Sequence, residues 1–179
     1  MPGFIPEITT RVTVECDTSQ LDNAISLMES DPILSELTGL IGELEDKKNT
    51  IKGLEIPVAD AVSQSLKSNQ EMIISSKHYI TGMMANSVDI SQDGNTFLVG
   101  NTATSYDGFP YPLAIETGRR EVFPIDAKVL RWFEGGVGGT PVFAKHSSSV
   151  DPDPFVEPSI DDTMYDIEQI INDLLDEVI

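Results

Sequence analysis

The stretch Val88-Asp89-Ile90-Ser91-Gln92-Asp93-Gly94-Asn95-Thr96-Phe97-Leu98-Val99 decides the fold. Val88 and Ile90 alternate with polar residues before the Asp-Gly-Asn turn, and Phe97 and Val99 alternate after it. Period-two alternation on both sides of an Asp-Gly pair predicts a β-hairpin. Just upstream, Val58, Ala61, Val62, Leu66, Met72 and Ile73 carry helical spacing to about Ser76. Pro57 suits the first turn of that helix, where its missing N–H would have no partner anyway. A long helix leading into an antiparallel hairpin predicts an α+β fold: a small, mostly antiparallel sheet packed with the long helix and a C-terminal helix.

Working outward, Ile8, Thr10, Val12, Val14 and Cys16 fall on every second position and predict an N-terminal strand. A short helix through Leu21, Ala24, Ile25 and Met28 is expected next, and Pro32 ends it. Ile33, Leu34, Leu37, Leu40, Ile41 and Leu44 predict an amphipathic helix whose solvated end is Asp46 to Asn49. After the hairpin, residues 101–112 read as a loop. Pro112 to Glu116 reads as a short helix stopped by Gly118 in a left-handed cap. Short apolar segments follow at 128–133 and 141–144, the second a strand, and Asp151 to Pro154 reads as stiff and extended. Asp161 or Asp162 is expected to cap a final helix, whose stripe is Met164, Ile167, Ile170, Ile171, Leu174, Leu175 and Val178. The expected organisation is an N-terminal strand and helical extension packed on the same domain (1–56), an α+β core (57–160) and an acidic amphipathic helix (161–179).

The charge is strongly acidic and uneven. Thirty Asp and Glu against eleven Lys and Arg give −19 over 179 residues. Residues 1–60 carry −8, residues 61–150 only −1, and residues 151–179 carry −10 with no base at all. Such a surface repels phosphate backbones, so sequence-specific nucleic-acid binding is not expected. A packed, partner-contacting centre with solvated or specialised ends is one reading; solubility alone is the other. No stretch has the roughly 18 uninterrupted apolar residues of a membrane helix, so no membrane partner is expected. Met1 to Pro6 lack a basic patch followed by an apolar block, so no signal peptide is expected there.

Catalytic chemistry is hard to assemble from these residues. His78 and His146 are isolated, and the single Cys16 offers no zinc spacing. Ser147-Ser148-Ser149 lies beside His146 without a Gly-x-Ser-x-Gly turn. The glycines between 135 and 139 lack the Gly-Lys-Ser/Thr of a phosphate loop, and Asp151 and Asp153 lack the rest of a calcium loop. No catalytic residue, metal or cofactor is expected, and the chain is read as a non-enzyme.

Five ordered segments resemble a viral family. Thr81-Gly82 with Met84 and Ser87 is similar to its Thr-Gly-x-Leu-x-x-Ser segment. Tyr111-Pro-Leu-Ala-Ile115-Glu116-Thr-Gly118 is similar to its Tyr, apolar, Glu-x-Gly segment. Pro124, Ala127-Lys128 and Leu130-Arg131-Trp132-Phe133 resemble its Pro-x-x-Ala-x-x-Leu-x-Phe run. A strand at Val142 to Ala144 follows, and Pro154-Phe155-Val156-Glu157-Pro158 resembles its closing motif. The family is the neck or tail-completion proteins of tailed bacteriophages and tailed archaeal viruses, also labelled head–tail joining, tail-component or virion-morphogenesis proteins. Residues 1–56 have no counterpart in it.

The resemblance implies a structural protein of the virion neck or tail, present in the host cytoplasm during assembly. It implies an oligomeric ring of identical copies around a DNA channel. The partners would be a head-completion, adaptor or portal-side protein and the tail-tube protein, with DNA only as passing cargo. Thr81, Gly82, Ser87, Gly118, Leu130, Pro154, Phe155 and Pro158 would be structural motif positions. Candidate interface residues are Tyr106, Phe109, Tyr111, Glu116, Arg119, Arg120, Ile171 and Leu174. Glu116 is expected to pair with Arg119 or Arg120, within the chain or across a subunit boundary. The alternative reading is a soluble acidic protein-binding module or a nucleic-acid-mimicking inhibitor.

Overall fold

The Asp93-Gly94 turn forms as its residues require. The computed structural model describes residues 8–77, 82–104, 110–125, 127–134 and 139–178. Strands β2 (Val88–Asp93) and β3 (Thr96–Asn101) pair antiparallel, with Asp93 opposite Thr96. Gly94 takes φ +61, the sign a glycine-first two-residue loop needs. The N-terminal strand β1 (Ile8–Thr13) joins the other side of β3, so the order is β1-β3-β2 and all pairings are antiparallel. The protein is α+β.

The alternation predicted to Cys16 stops being a strand at Thr13, because β3 begins at Thr96 and offers nothing further to pair with. The Cys16 N–H turns instead to Glu55 Oε1, 3.0 Å away, at the start of the long helix. That helix, α3 (Glu55–Lys77), lies against all three strands. Leu66, Ile74, Val88, Val99 and Phe155 form the centre of the core.

The N-terminal helices depart from their expected bounds. Helix α1 (Ser19–Ser30) ends before Pro32, as the sequence indicates. The Asp31 carboxylate then accepts from the N–H groups of Ile33 and Leu34 at 2.8 and 3.1 Å. This closes a tight 3-10 turn over Leu34–Glu36 and delays helix α2 to Thr38–Gly53. Helix α2 therefore runs past Asn49, and none of its residues is buried. Lys48 Nζ donates to Asp22 Oδ1 at 2.9 Å, tying α1 to α2 and holding that carboxyl below its usual range.

Helix α5 (Val156–Val178) packs along α3. Part of the seam holds small hydroxyl side chains. Ser63, Ser159 and Thr163 are buried, and each hydroxyl donates at 2.7 Å to a carbonyl of its own helix. Asn69 Nδ2 crosses to Thr163 Oγ1 at 3.1 Å, and Ser65 to Asp166 Oδ2 at 2.8 Å. Among the described residues no buried hydroxyl is left without a partner, so the close approach carries no desolvation penalty from that source. No helix among the described residues is long and apolar enough to cross a membrane.

Candidate functional site

Helix α4 (Tyr111–Thr117) ends at Gly118, as expected, but not in a left-handed cap. Gly118 has φ +75 and ψ 172, a conformation essentially confined to glycine, and it sends the chain onward extended. Pro152 and Val150 crowd that glycine. The next residues pair backward: Arg119 with Val150 and Val122 with Ser147, each by two backbone hydrogen bonds of 2.7–2.9 Å. Farther out, β4 (Leu130–Glu134) and β5 (Thr140–Ala144) pair antiparallel. The described residues between 119 and 150 thus form one arm that leaves and returns at a single joint.

The joint is closed by Glu116. Its Oε2 accepts from the N–H groups of Phe155 and Val156 at 2.9 and 3.2 Å. Those are donors at the start of α5, where the helix dipole also favours a negative charge. This corrects two expectations. Helix α5 begins at Val156, not near Asp161, because a distant carboxylate caps it; Pro158 falls within its first turn, where it breaks no bond. Within the chain, Glu116 is not an ion-pair partner of Arg119 or Arg120. Arg119 donates to Ser147 Oγ at 2.8 Å and to the Ser148 carbonyl at 3.1 Å, stiffening the root of the arm. Glu116→Ala should therefore destabilise the protein by about 1–2 kcal/mol, as lost caps do, and Glu116→Gln by less, since an acceptor remains. Urea unfolding of both variants checks this; two curves superimposed on the wild type would mean that the cap carries no stability.

The other positions singled out in the sequence are placed as follows. Gly82 has φ +68, and the Ser87 hydroxyl donates to the Met83 carbonyl at 2.7 Å just before β2. Leu130 opens β4 opposite Ala144. Pro154 is partly exposed and Phe155 fully buried. Tyr111 packs against the main core, and burial pushes its phenol above its ordinary value. Thr81, Tyr106 and Phe109 lie outside the described residues. Arg120 is exposed.

The C-terminal stripe is only partly docked. Ile167, Ile170, Leu174 and Leu175 pack against Leu54, Val58 and Val62. Met164 remains 62% exposed and Ile171 is exposed beside it. The stripe is wider than the surface α3 offers, and its free flank overhangs a groove of about 530 Å3 between β1, α3 and α5. Sequence periodicity finds such a stripe but not how much of it a neighbour covers.

The His146, Ser147 and Cys16 side chains are engaged as follows. His146 Nδ1 meets Glu121, and its ring stacks on Phe123 with centroids 5.7 Å apart. The Ser147 hydroxyl is taken by Arg119. Burial, then the charge of Glu55, holds the Cys16 thiol above its ordinary value, away from the reactive thiolate. Among the described residues, no three His, Cys, Asp or Glu side chains are grouped to hold a metal ion.

The arm and the groove are two of the exposed apolar surfaces among the described residues. No family model, curated protein or solved structure matches this chain. The functional reading therefore rests on the residues and their geometry.

Proposed function

We propose that the chain is a structural virion protein of the neck of a tailed virus. Copies form a ring around the DNA channel and join the head-completion or portal side to the tail tube. The observation that supports this reading most is the arm. Phe123, Ile125 and Phe143 are 60%, 95% and 59% exposed on the arm, whose strands β4 and β5 contact chiefly each other among the described residues. Apolar surface of that kind marks a contact site. The resemblance adds weight through its own residues: Glu116, Gly118 and Phe155 come from two separate motif segments and meet at the joint that roots the arm. A ring protein needs such a rigid root and a projecting contact element, and needs no catalytic group. Acidic residues turned to the channel would keep passing DNA from adhering.

Deleting the gene in the producing virus is the test. The expected outcome is full heads and separate tails, with joining restored by the purified protein, and the protein located at the neck in images of intact particles. Joined, infectious particles lacking the protein would overturn the reading. Recovery of the protein from infected cells bound to a basic cellular partner would favour the acidic binding module instead.

A further inference from the structure

The arm and the groove are complementary, and they lie on different parts of one chain. In a protein of charge −19, residues 119–150 hold five bases, Arg119, Arg120, Lys128, Arg131 and Lys145, against three acids. Arg120, Lys128 and Lys145 are exposed and make no ion pair among the described residues. The arm is therefore basic and apolar at once.

The groove is apolar, Arg11 and Glu15 on its β1 side offset each other in charge, and unpaired acids stand beside it on α5. Val12 and Val14 line one wall, Val62 the floor, and Ile160, Met164 and Ile171 the other wall. On α5, Glu157, Asp161 and Glu168 are spaced by four and seven residues and so run along one side of the helix. Helical geometry puts that side next to the groove-lining residues and away from α3. All three acids are exposed and make no ion pair among the described residues. Helix α5 carries eight acids and no base. The wall formed by β1 is also an open sheet edge. Strand β1 pairs only with β3, so alternate residues turn their N–H and C=O groups outward, and no backbone hydrogen bond among the described residues reaches them.

We propose that the arm of one copy docks in the β1–α5 groove of the next. Exposed Phe and Ile side chains of the arm enter the apolar groove, its bases meet the acids of α5, and its extended backbone lies along the open β1 edge. The two surfaces differ, so the contact is head to tail, and repetition closes a ring when the rotation permits. The overall charge keeps copies apart at long range, so a local match of opposite sign is what selects this contact over others. The acidic last turn of α5, unfavourable at the negative end of a helix dipole, gains a basic neighbourhood by the same contact. This inference rests on the ring-forming reading and names the faces that meet.

Charge reversal tests it. One variant carries Glu157→Lys, Asp161→Lys and Glu168→Lys; the other carries Arg120→Glu, Lys128→Glu and Lys145→Glu. Sedimentation over a concentration series should show the wild type associating, and each variant alone associating at least about tenfold more weakly. An equimolar mixture of the two should recover association, because a reversed arm meets a reversed groove. Thermal melting verifies that each variant is folded. A benzophenone amino acid at Phe123 in the otherwise native chain gives a second measurement, independent of the reversals. It should cross-link to residues 8–15 or 156–178 of another copy, identified by mixing isotope-labelled and unlabelled protein. A wild type monomeric at every concentration, association indifferent to both reversals, or cross-links elsewhere would each overturn the proposal. Neck location with reversals that change nothing would sink the docking alone. Working charge reversal in a protein absent from particles would sink the virion reading alone.

Discussion

Phe155→Ala should destabilise the protein by about 3–5 kcal/mol, the range for deleting a buried aromatic ring. That is a large part of the 5–15 kcal/mol that holds a typical domain folded. Phe155 is wholly buried and packs in the cluster with Leu66, Ile74, Val88 and Val99, so α3, the sheet and the start of α5 all lose contacts at once. The hole is bounded by a helix seam and a sheet, neither of which closes easily over it. Phe123→Ala is the natural comparison. Its ring stands on the arm and is 60% exposed, so its loss should change stability by no more than about 0.5 kcal/mol. Urea unfolding of the two variants, fitted with a common slope, measures the difference. Equal effects would mean that Phe155 is not the keystone of the core. On the proposal made above, the ranking reverses for self-association: Phe123→Ala weakens it in a fully folded protein.

The parts of this fold legible in the sequence are those with local causes. The hairpin was readable because an Asp-Gly turn and alternation on both sides act over a dozen residues. Helix α3 was readable because Pro57 and a helical repeat act over two dozen. The start of α5 was not, because its cap is Glu116, 39 residues upstream of Phe155, and no local pattern reports a carboxylate that distant. Glu116 itself pointed the wrong way. Arg119 and Arg120 are its neighbours in sequence, yet Gly118 turns the chain away between them, and Glu116 and Arg119 find other partners. The arm was legible only as two short apolar segments. Its root is made of backbone bonds at Arg119–Val150 and Val122–Ser147, and these leave no side-chain signature. The groove was illegible for a similar reason: the stripe on α5 shows in the sequence, whereas its free flank depends on how much width α3 and β1 supply.

Gly118→Ala should cost about 3 kcal/mol or more, and its effect should reach beyond stability. Two terms add. The conformation at φ +75 and ψ 172 is essentially closed to residues with a side chain, a strain of roughly 1–3 kcal/mol. The added Cβ would also stand 2.9 Å from Pro152 Cδ and from the Val150 carbonyl oxygen, and 3.0 Å from Pro152 N. A proline ring and backbone atoms cannot swing aside as a flexible side-chain end would. Gly94→Ala separates the terms. Gly94 has φ +61, but a Cβ there meets nothing within 4 Å, so it carries the strain of a left-handed residue alone, about 1–2 kcal/mol. If Gly118→Ala proves no more costly than Gly94→Ala in urea unfolding, the close approach of the two chain segments is not what fixes the joint. Relief of the clash has one obvious route, which is to push Val150 and Pro152 away from residue 118. That would lengthen the paired hydrogen bonds between Arg119 and Val150 and loosen the root of the arm. Gly118→Ala should therefore raise amide exchange at Arg119, Val122, Ser147 and Val150 at temperatures where the core is still protected, whereas Gly94→Ala should leave those amides as they are. An arm that stays as protected as in the wild type would show that its rigidity comes from its own pairing and not from the glycine at its base.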